Sequence, residues 1–374
     1  MPQLLFSANL LINMFYSKFK KMKKLFVFIP ALFIVLFLLN SFVIKEKKAK
    51  KKNEGTKSFT RSTVSDKLLK DPFERVPFAL LVNIIFKSAD GGNTWQDISS
   101  GLPEVEPVNF IAGESDLYLQ VKNEIYRSKS NLKTPIWEKE NIPDLQSSSS
   151  ASFNSIVFNR TGVMAFNYWG LIYKKIPASE TWFQIHANFK KYAMHTIFEK
   201  ADGTIFIAYD QGLYKSIDQG KNWKQVQKGL VMKIVESEGV LIATSRLGII
   251  RSTDNGENWQ KVISEGGMGI TVECIKGGFA AISYNEKTES RRIRISLNRG
   301  KTWKAIDEGL PPSSDISSIK QIGAYFICGH PNGIFQSSDV GKTWDKVHPG
   351  VENKIFRIYV SGNVLYAVAG NAGC

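Results

Sequence analysis

Residues 252–259 read STDNGENW, and the same string returns along the chain with small changes. SADGGNTW occupies 88–95, SIDQGKNW 216–223, SLNRGKTW 296–303 and SSDVGKTW 337–344. The shared pattern is Ser-x-Asp-x-Gly-x-Asn/Thr-Trp, with Asn298 in the Asp position of one copy. Two weaker copies fill the gap: SKSNLKTPIW ends at Trp137 and KIPASETW ends at Trp182, with Pro177 in place of Asp. Successive Trp residues are 42, 45, 41, 36, 44 and 41 apart. A period in this range marks a propeller or a solenoid.

Each repeat has one internal plan. An apolar stretch such as GVLIATS (239–245) leads through a Gly turn to GIIRS (248–252), then to the string, then to a stretch beginning at Trp. The stretches are short and β-branched, and Gly, Asn or Asp separates them. Four short strands per unit make a propeller blade. The string is a turn between two antiparallel strands. Asp254 accepts from backbone N–H groups two residues on, as in an Asx turn. Gly256 takes a positive φ, Ser252 bonds across the turn, and Trp259 places a large ring between packed sheets. Asp90, Asp218, Asn298 and Asp339, with Trp95, Trp223, Trp303 and Trp344, are structural turn residues on the same reasoning.

Seven Trp-ended units predict seven blades, and closure tests the count. After Trp344, KIFRIYVSGNVLYAVAGNAGC (354–374) supplies two strands and stops. Ile85 stands ten residues before Trp95, where the third strand of a unit begins. The C-terminal strands are therefore expected to form the inner half of the blade that contains Trp95. This expectation is an all-β, seven-bladed propeller over 76–374.

Upstream the composition changes. The 374 residues carry a net charge of +15, but residues 1–52 hold eleven Lys and one Glu. The other 322 residues have 38 basic and 33 acidic side chains, so they are nearly balanced and no nucleic-acid partner is expected. Residues 1–24 are basic. LFVFIPALFIVLFLLNSFVI (25–44) has no charge and is long enough for a bilayer-spanning helix. MKKLFVFIP from Met22 reads as a bacterial signal start, leaving Met1 and Met22 as alternative starts. No small-x-small cleavage site follows, which favours a retained anchor. Lys flanks both ends of the span, so the positive-inside rule does not orient it. The Lys-, Ser- and Thr-rich stretch 45–75 reads as a tether. The expectation is a membrane-anchored, extracytoplasmic propeller.

The repeating string resembles the Asp-box, or bacterial neuraminidase repeat, of sialidases, other glycoside hydrolases, sortilin-type receptors and photosystem II stability/assembly factor-like proteins. The resemblance covers about 76–374. It implies a propeller whose ligands meet the mouth of the central channel, and the family contains both enzymes and non-enzymes.

Mouth positions vary between units, unlike the turns. The candidates are Tyr168 and Trp169, Tyr209 and Asp210, and Arg246. Tyr284, Glu286, Arg291 and Arg292 lie in what reads as the longest such loop, SYNEKTESRR, and His330 and Asn332 in GHPNG. A sialidase needs an Arg cluster, a Tyr nucleophile with a Glu partner, and an acid. The weak catalytic candidates are Arg357, Arg292, Arg246 and Tyr284. The resemblance implies an Arg in a Phe/Tyr-Arg-Ile-Pro motif ahead of the first box; Arg357 lies in Phe356-Arg357-Ile358-Tyr359, which lacks the Pro and stands at the other end of the chain. Counting back 16 residues from the turn Gly aligns it with Ser317 and Met232. The four His are scattered, so no metal or other cofactor is expected. Cys274 and Cys328 lie in apolar runs and read as buried thiols. The expected role is a non-catalytic scaffold with a protein or glycan partner at the channel face. A sialidase-type glycoside hydrolase is the alternative.

Overall fold

The structure, a computed structural model, describes residues 84–371 apart from 101, 103–106, 122–123, 143–152, 160–161, 168–170, 177–178, 180 and 186–193. The expected basic segment, membrane span and tether lie outside the described residues. The described residues form seven four-stranded antiparallel sheets.

Blade 1 is assembled from both parts of the chain. Its strands, from the channel outward, are Ile355–Ser361, Val364–Gly370, Ile85–Ser88 and Gln96–Asp97. Ser88 pairs with Leu365 and Ile85 with Val368. Blades 2 to 7 each run outward in chain order. Their inner strands are Pro107–Ala112, Phe153–Asn159, Met194–Glu199, Ile234–Ser237, Gly266–Ile275 and Ser318–Ile322. The expected closure is therefore observed. It gives blade 1 its two inner strands, so that all seven blades have four.

The core lies between blades. Phe110, Ile156, Ile197, Ile234, Val272, Ile319 and Ile358 occupy one equivalent position on the seven inner strands, and all are buried. Second strands such as Val240–Ser245 are buried along nearly their whole length, which explains their unbroken apolar reading.

The recurring turn follows one hydrogen-bond plan. In blade 5, the Ser252 hydroxyl donates to Asp254 Oδ1 (2.7 Å) and accepts from Gly256 N–H (2.9 Å). Asp254 then accepts from Asn258, through its backbone (3.0 Å) and its side-chain amide (2.7 Å). The acceptance spans four residues, not the two of an Asx turn. The reason is that both Asn255 (φ 59°) and Gly256 (φ 79°) are left-handed, which curls the loop around the carboxylate. Asn298 makes the same bonds through its side-chain oxygen and amide. Trp95, Trp223, Trp259 and Trp303 each donate Nε1–H to the carbonyl of their own turn Gly. Trp344 instead donates to Ile306 O in the neighbouring blade, and Trp182 to Glu140.

The turn also spaces the blades. A Cβ on Gly256 would stand 2.6 Å from the Phe206 ring of blade 4, and one on Gly300 would stand 2.6 Å from Ile242 of blade 5. In four blades the residue before the turn Ser reaches the next blade's turn. Lys87 donates to Leu132 O, Lys215 to Glu257, Arg251 to Arg299 O and Gln336 to Gly91 O, the last across the closure. Cys328 is buried as expected, whereas Cys274 is exposed. Cys274 shares the face of Val272 but lies next to the last residue of its strand, where its thiol reaches the Glu236 carbonyl.

Val340 holds a left-handed φ of 61° with a β-branched side chain, at the place Asn255 fills in blade 5. Such a conformation costs an L-residue about 1–2 kcal/mol. Val340→Asn should stabilise the protein by about 1 kcal/mol, whereas Gly256→Ala should destabilise it by about 1–3 kcal/mol. Urea unfolding of both variants checks the pair. Asp90, Asp218, Asp254 and Asp339 have carboxyls held down to about 2. For Asp90 the Thr94 hydroxyl is the largest cause, and for the others it is the backbone N–H four places on. A depressed folded value stabilises above the unfolded one, near 4, and the effect is lost as pH falls through about 2. Melting temperature should therefore fall between pH 4 and pH 2, and Asp254→Asn should lessen that slope.

Candidate functional site

The inner strands run from the end bearing the inter-blade connections to the opposite end from which the second strands return. Side chains on either side of the buried position face the channel. The position before it carries Asn109, Ser155, Thr196, Lys233, Thr271, Ser318 and Arg357, polar in all seven blades. The position after it carries Ile111, Val157, Phe198, Val235, Glu273, Lys320 and Tyr359. The channel is therefore a polar ring above an apolar one that is interrupted by Glu273, Lys320 and the Tyr359 hydroxyl. By strand register, Arg357 is equivalent to Ser318 and Lys233, one residue after the positions obtained by counting. A cavity of about 480 Å³ opens here, lined among others by Asn109, His195, Lys233, Lys320 and Tyr359.

The wall groups also join blades. Asn109 Nδ2 donates to Ser155 Oγ and Ile156 O. Ser318 Oγ of blade 7 accepts from Ile358 N–H of blade 1 (3.0 Å). Glu273 in blade 6 pairs with Lys233 of blade 5 and, at 2.7 Å, with Lys320 of blade 7. Blades 5 and 7 are not neighbours, so both ammonium groups reach Glu273 along the channel side. Glu273 is a compromise between burial, which raises its pKa, and the two lysines, which bring it below the usual carboxylate range. Burial lowers Lys320. Burial also pushes the Tyr359 hydroxyl up to about 12, with Arg357 opposing and Glu273 reinforcing the shift. Arg357 is half-buried and has no ion pair among the described residues.

The candidates read from the sequence separate into three groups. Arg357 stands in the channel wall. Asp210 lies at the mouth on the turn after the second strand of blade 4, where it bonds His195 Nε2 at 2.6 Å. His195 was passed over as one of four scattered His, because the fold alone brings it to Asp210. Arg246 and Glu286 are exposed on second-to-third-strand turns, and Tyr284 is half-buried near the end of the second strand of blade 6.

The second group lies inside blades. Tyr209 is fully buried in the core, against the edge of Tyr214. His330 is 1% exposed, with Nε2 against Pro311 O and Nδ1 accepting from Asn332 N–H. Burial lowers its pKa, which suits a neutral ring with the proton on Nε2. Both were expected at the mouth. The second strand carries them one step further into the apolar layer than their turn-like sequences suggest.

The third group is held elsewhere. Arg291 and Arg292 are in a strand, paired opposite Tyr284 and Ser283, because the blade 6 hairpin extends to Asn285 and Ser290. The expected long loop shrinks to four residues. The Arg292 fork is engaged by Asp307 at 2.5 and 3.1 Å. Arg246, Arg292 and Arg357 thus lie on a turn of blade 5, the third strand of blade 6 and the inner strand of blade 1. Trp169 and Tyr168 lie outside the described residues. Among the described residues no group of three or more His, Cys, Asp or Glu is placed to hold a metal ion.

No protein-family model matches the chain, and no curated protein matches it. Among solved structures it is similar to YCF48 from Cyanidioschyzon merolae, with a TM-score of 0.53 and 14% identity over 71% of this chain and 97% of that one. It is similar to an ancestral GH74 enzyme, with a TM-score of 0.51 and 11% identity over 72% of this chain. It is also similar to the WD40 β-propeller domain of Doa1, with a TM-score of 0.50 and 9% identity over 71% of this chain and 93% of that one. The chain covers 41% of the GH74 enzyme's length. At these identities the likeness is one of fold: an all-β, seven-bladed propeller.

Removing the carboxylate from the Lys233–Glu273–Lys320 group leaves two ammonium groups facing one another. Glu273→Gln should destabilise the protein by up to about 3 kcal/mol. Adding Lys320→Met should recover part of the loss, because one of the two like charges is gone. Urea unfolding of the single and double variants tests this, and simple additivity of the losses would contradict it.

Proposed function

We propose that this protein is an Asp-box propeller, anchored through residues 25–44 and held outside the cytoplasm, that binds a protein or glycan partner at its channel face without catalysing a reaction. The observation that carries the reading is the division of labour in the repeat. The turns at one end repeat a single structural plan. The channel wall at the other end differs from blade to blade and presents Arg357, Lys233, Lys320 and the His195–Asp210 pair. A glycan or protein surface is recognised by such individually placed polar groups on a rigid frame. The anchor and the location rest on the uncharged 25–44 stretch and the signal-like start at Met22.

A sialidase-type glycoside hydrolase is the second reading. Arg357, Tyr359 and Glu273 share the channel and are the residue types such an enzyme uses for a carboxylate, a nucleophile and its partner. Two features weigh against it. The Tyr359 hydroxyl is pushed up to about 12, away from nucleophile activation, and Glu273 is engaged by two lysines.

Photo-cross-linking in intact membranes separates the surfaces. A photoreactive residue at Arg246 or Asp210 should give a discrete adduct, while one at the exposed Leu297, on a turn at the opposite end, should give none. Adducts from Leu297 alone would overturn the proposal. The full chain should show no turnover of a sialoside and glycoside panel. Turnover abolished by Arg357→Ala would establish the enzyme instead.

A further inference from the structure

Blade 6 encloses a cavity of its own on the outer side of its sheet. Its fourth strand, Lys304–Ala305, is two residues long, against five for Lys224–Lys228 in blade 4 and Asp345–Pro349 in blade 7. Beyond Ala305 the chain swings away from the third strand, Ser290–Ser296, as a loop over 307–316. It returns at Ser313, whose carbonyl accepts from Arg291 N–H at 2.8 Å. Between the loop and the start of that strand is a cavity of about 340 Å³, which shares no lining residue with the channel cavity.

The loop is held without help from a ligand. Leu310 N–H donates to Asp307 O, His330 Nε2 meets Pro311 O at 3.0 Å, and Arg291 Nη1 donates to Ile316 O at 3.0 Å. Pro311 and Pro312 fix two successive φ angles. A preformed cavity of this size falls within the range of small-ligand sites.

The cavity has two unlike sides. Leu310 and Ile316 are buried in the core between blades 6 and 7 and make an apolar floor, with Pro312 beside them. Opposite stand Arg292 and the hydroxyls of Thr288 and Ser290, which meet at 2.8 Å. Two guanidinium groups and one carboxylate belong to the lining. That carboxylate, Asp307, is nearly buried and accepts from Arg292 Nε and Nη2 and from Ile293 N–H. The grip fixes the plane of the Arg292 guanidinium. It leaves the Nη1 edge without a partner among the described residues, on a side chain that is 32% exposed. Such an edge presents parallel N–H groups, the geometry that a carboxylate accepts.

We propose that this cavity binds a carboxylate carried on a short branched apolar group. The carboxylate sits on the Nη1 edge of Arg292 and the Thr288 and Ser290 hydroxyls, and the apolar group lies on Leu310, Pro312 and Ile316. The C-terminal residue of a peptide and a free branched-chain acid share this chemistry. The site is outside the channel and does not depend on what the channel face binds.

Calorimetric titration of the full chain in detergent tests the proposal with 4-methylpentanoate and acetyl-Gly-Gly-Leu, each compared with its own amide. Saturable binding of one equivalent is expected for at least one acid, with the matching amide weaker by about tenfold or more. The tighter acid identifies the source. Thr288→Glu, on the exposed rim, places a like charge at the carboxylate position. It should weaken the acid by about tenfold or more while the melting temperature stays near the parent value. Lys221→Gln, at the opposite end of the ring, should change nothing. Acetyl-photoleucine irradiated on the full chain should label peptides within 288–316. Failure of both acids to bind, equal binding of an acid and its amide, undiminished binding to the Thr288→Glu variant, or label on the inner strands would overturn the site.

Discussion

The whole ring depends on a close approach. Three turn glycines sit where the preceding blade leaves no room for a Cβ: Gly256 against Phe206, Gly300 against Ile242 and Gly341 against Ile306. The left-handed pair at that point wraps the turn around its own Asp or Asn. In four blades the long side chain before the turn Ser then ties to the next turn along. Spacing, turn and tie are set within a few residues, so one short string specifies how one blade meets the next. Repeated around a circle, a local rule becomes a global shape.

A circle must also close. The two C-terminal strands pair with Ile85–Ser88, and the same strands place Arg357 and Tyr359 in the wall. Two side chains also join the C-terminal part of the chain to the N-terminal part: Ser361, at the end of the blade 1 inner strand, donates to Gly113 O, and Gln336 donates to Gly91 O at the turns. Structure and site are therefore coupled. The wall groups that carry the proposed chemistry also stitch neighbouring blades, most plainly where Glu273 bridges Lys233 and Lys320.

The architecture was legible because it is written in repeated, local signals. The turn string, the Trp spacing and the arithmetic of the two ends led to seven blades and to the correct closing strands. The site was much less legible. Channel groups come from inner strands about forty residues apart, and no local pattern says which alternate residues face inward. Arg357 was found because it is the odd residue in its strand. His195, Glu273 and Lys320 were missed, since each looks ordinary until the register brings them together. Tyr209 and His330 misled because turn-like neighbours suggested exposure, while the second strand of a blade is buried almost to its end. Val340 in a left-handed conformation was invisible for a related reason: its chemistry argues against the place it occupies.

The account stands or falls on closure, because an open ring has no channel wall. Hydrogen–deuterium exchange of the full chain, resolved to peptides, measures it directly. The account predicts that amides in Ile85–Ser88, Ile355–Ser361 and Val364–Gly370 are protected together, as strongly as the inner strands of the other blades. Rapid, independent exchange of the C-terminal strands would show that they do not anneal to the N-terminal one, and would remove Arg357 and Tyr359 from any common site.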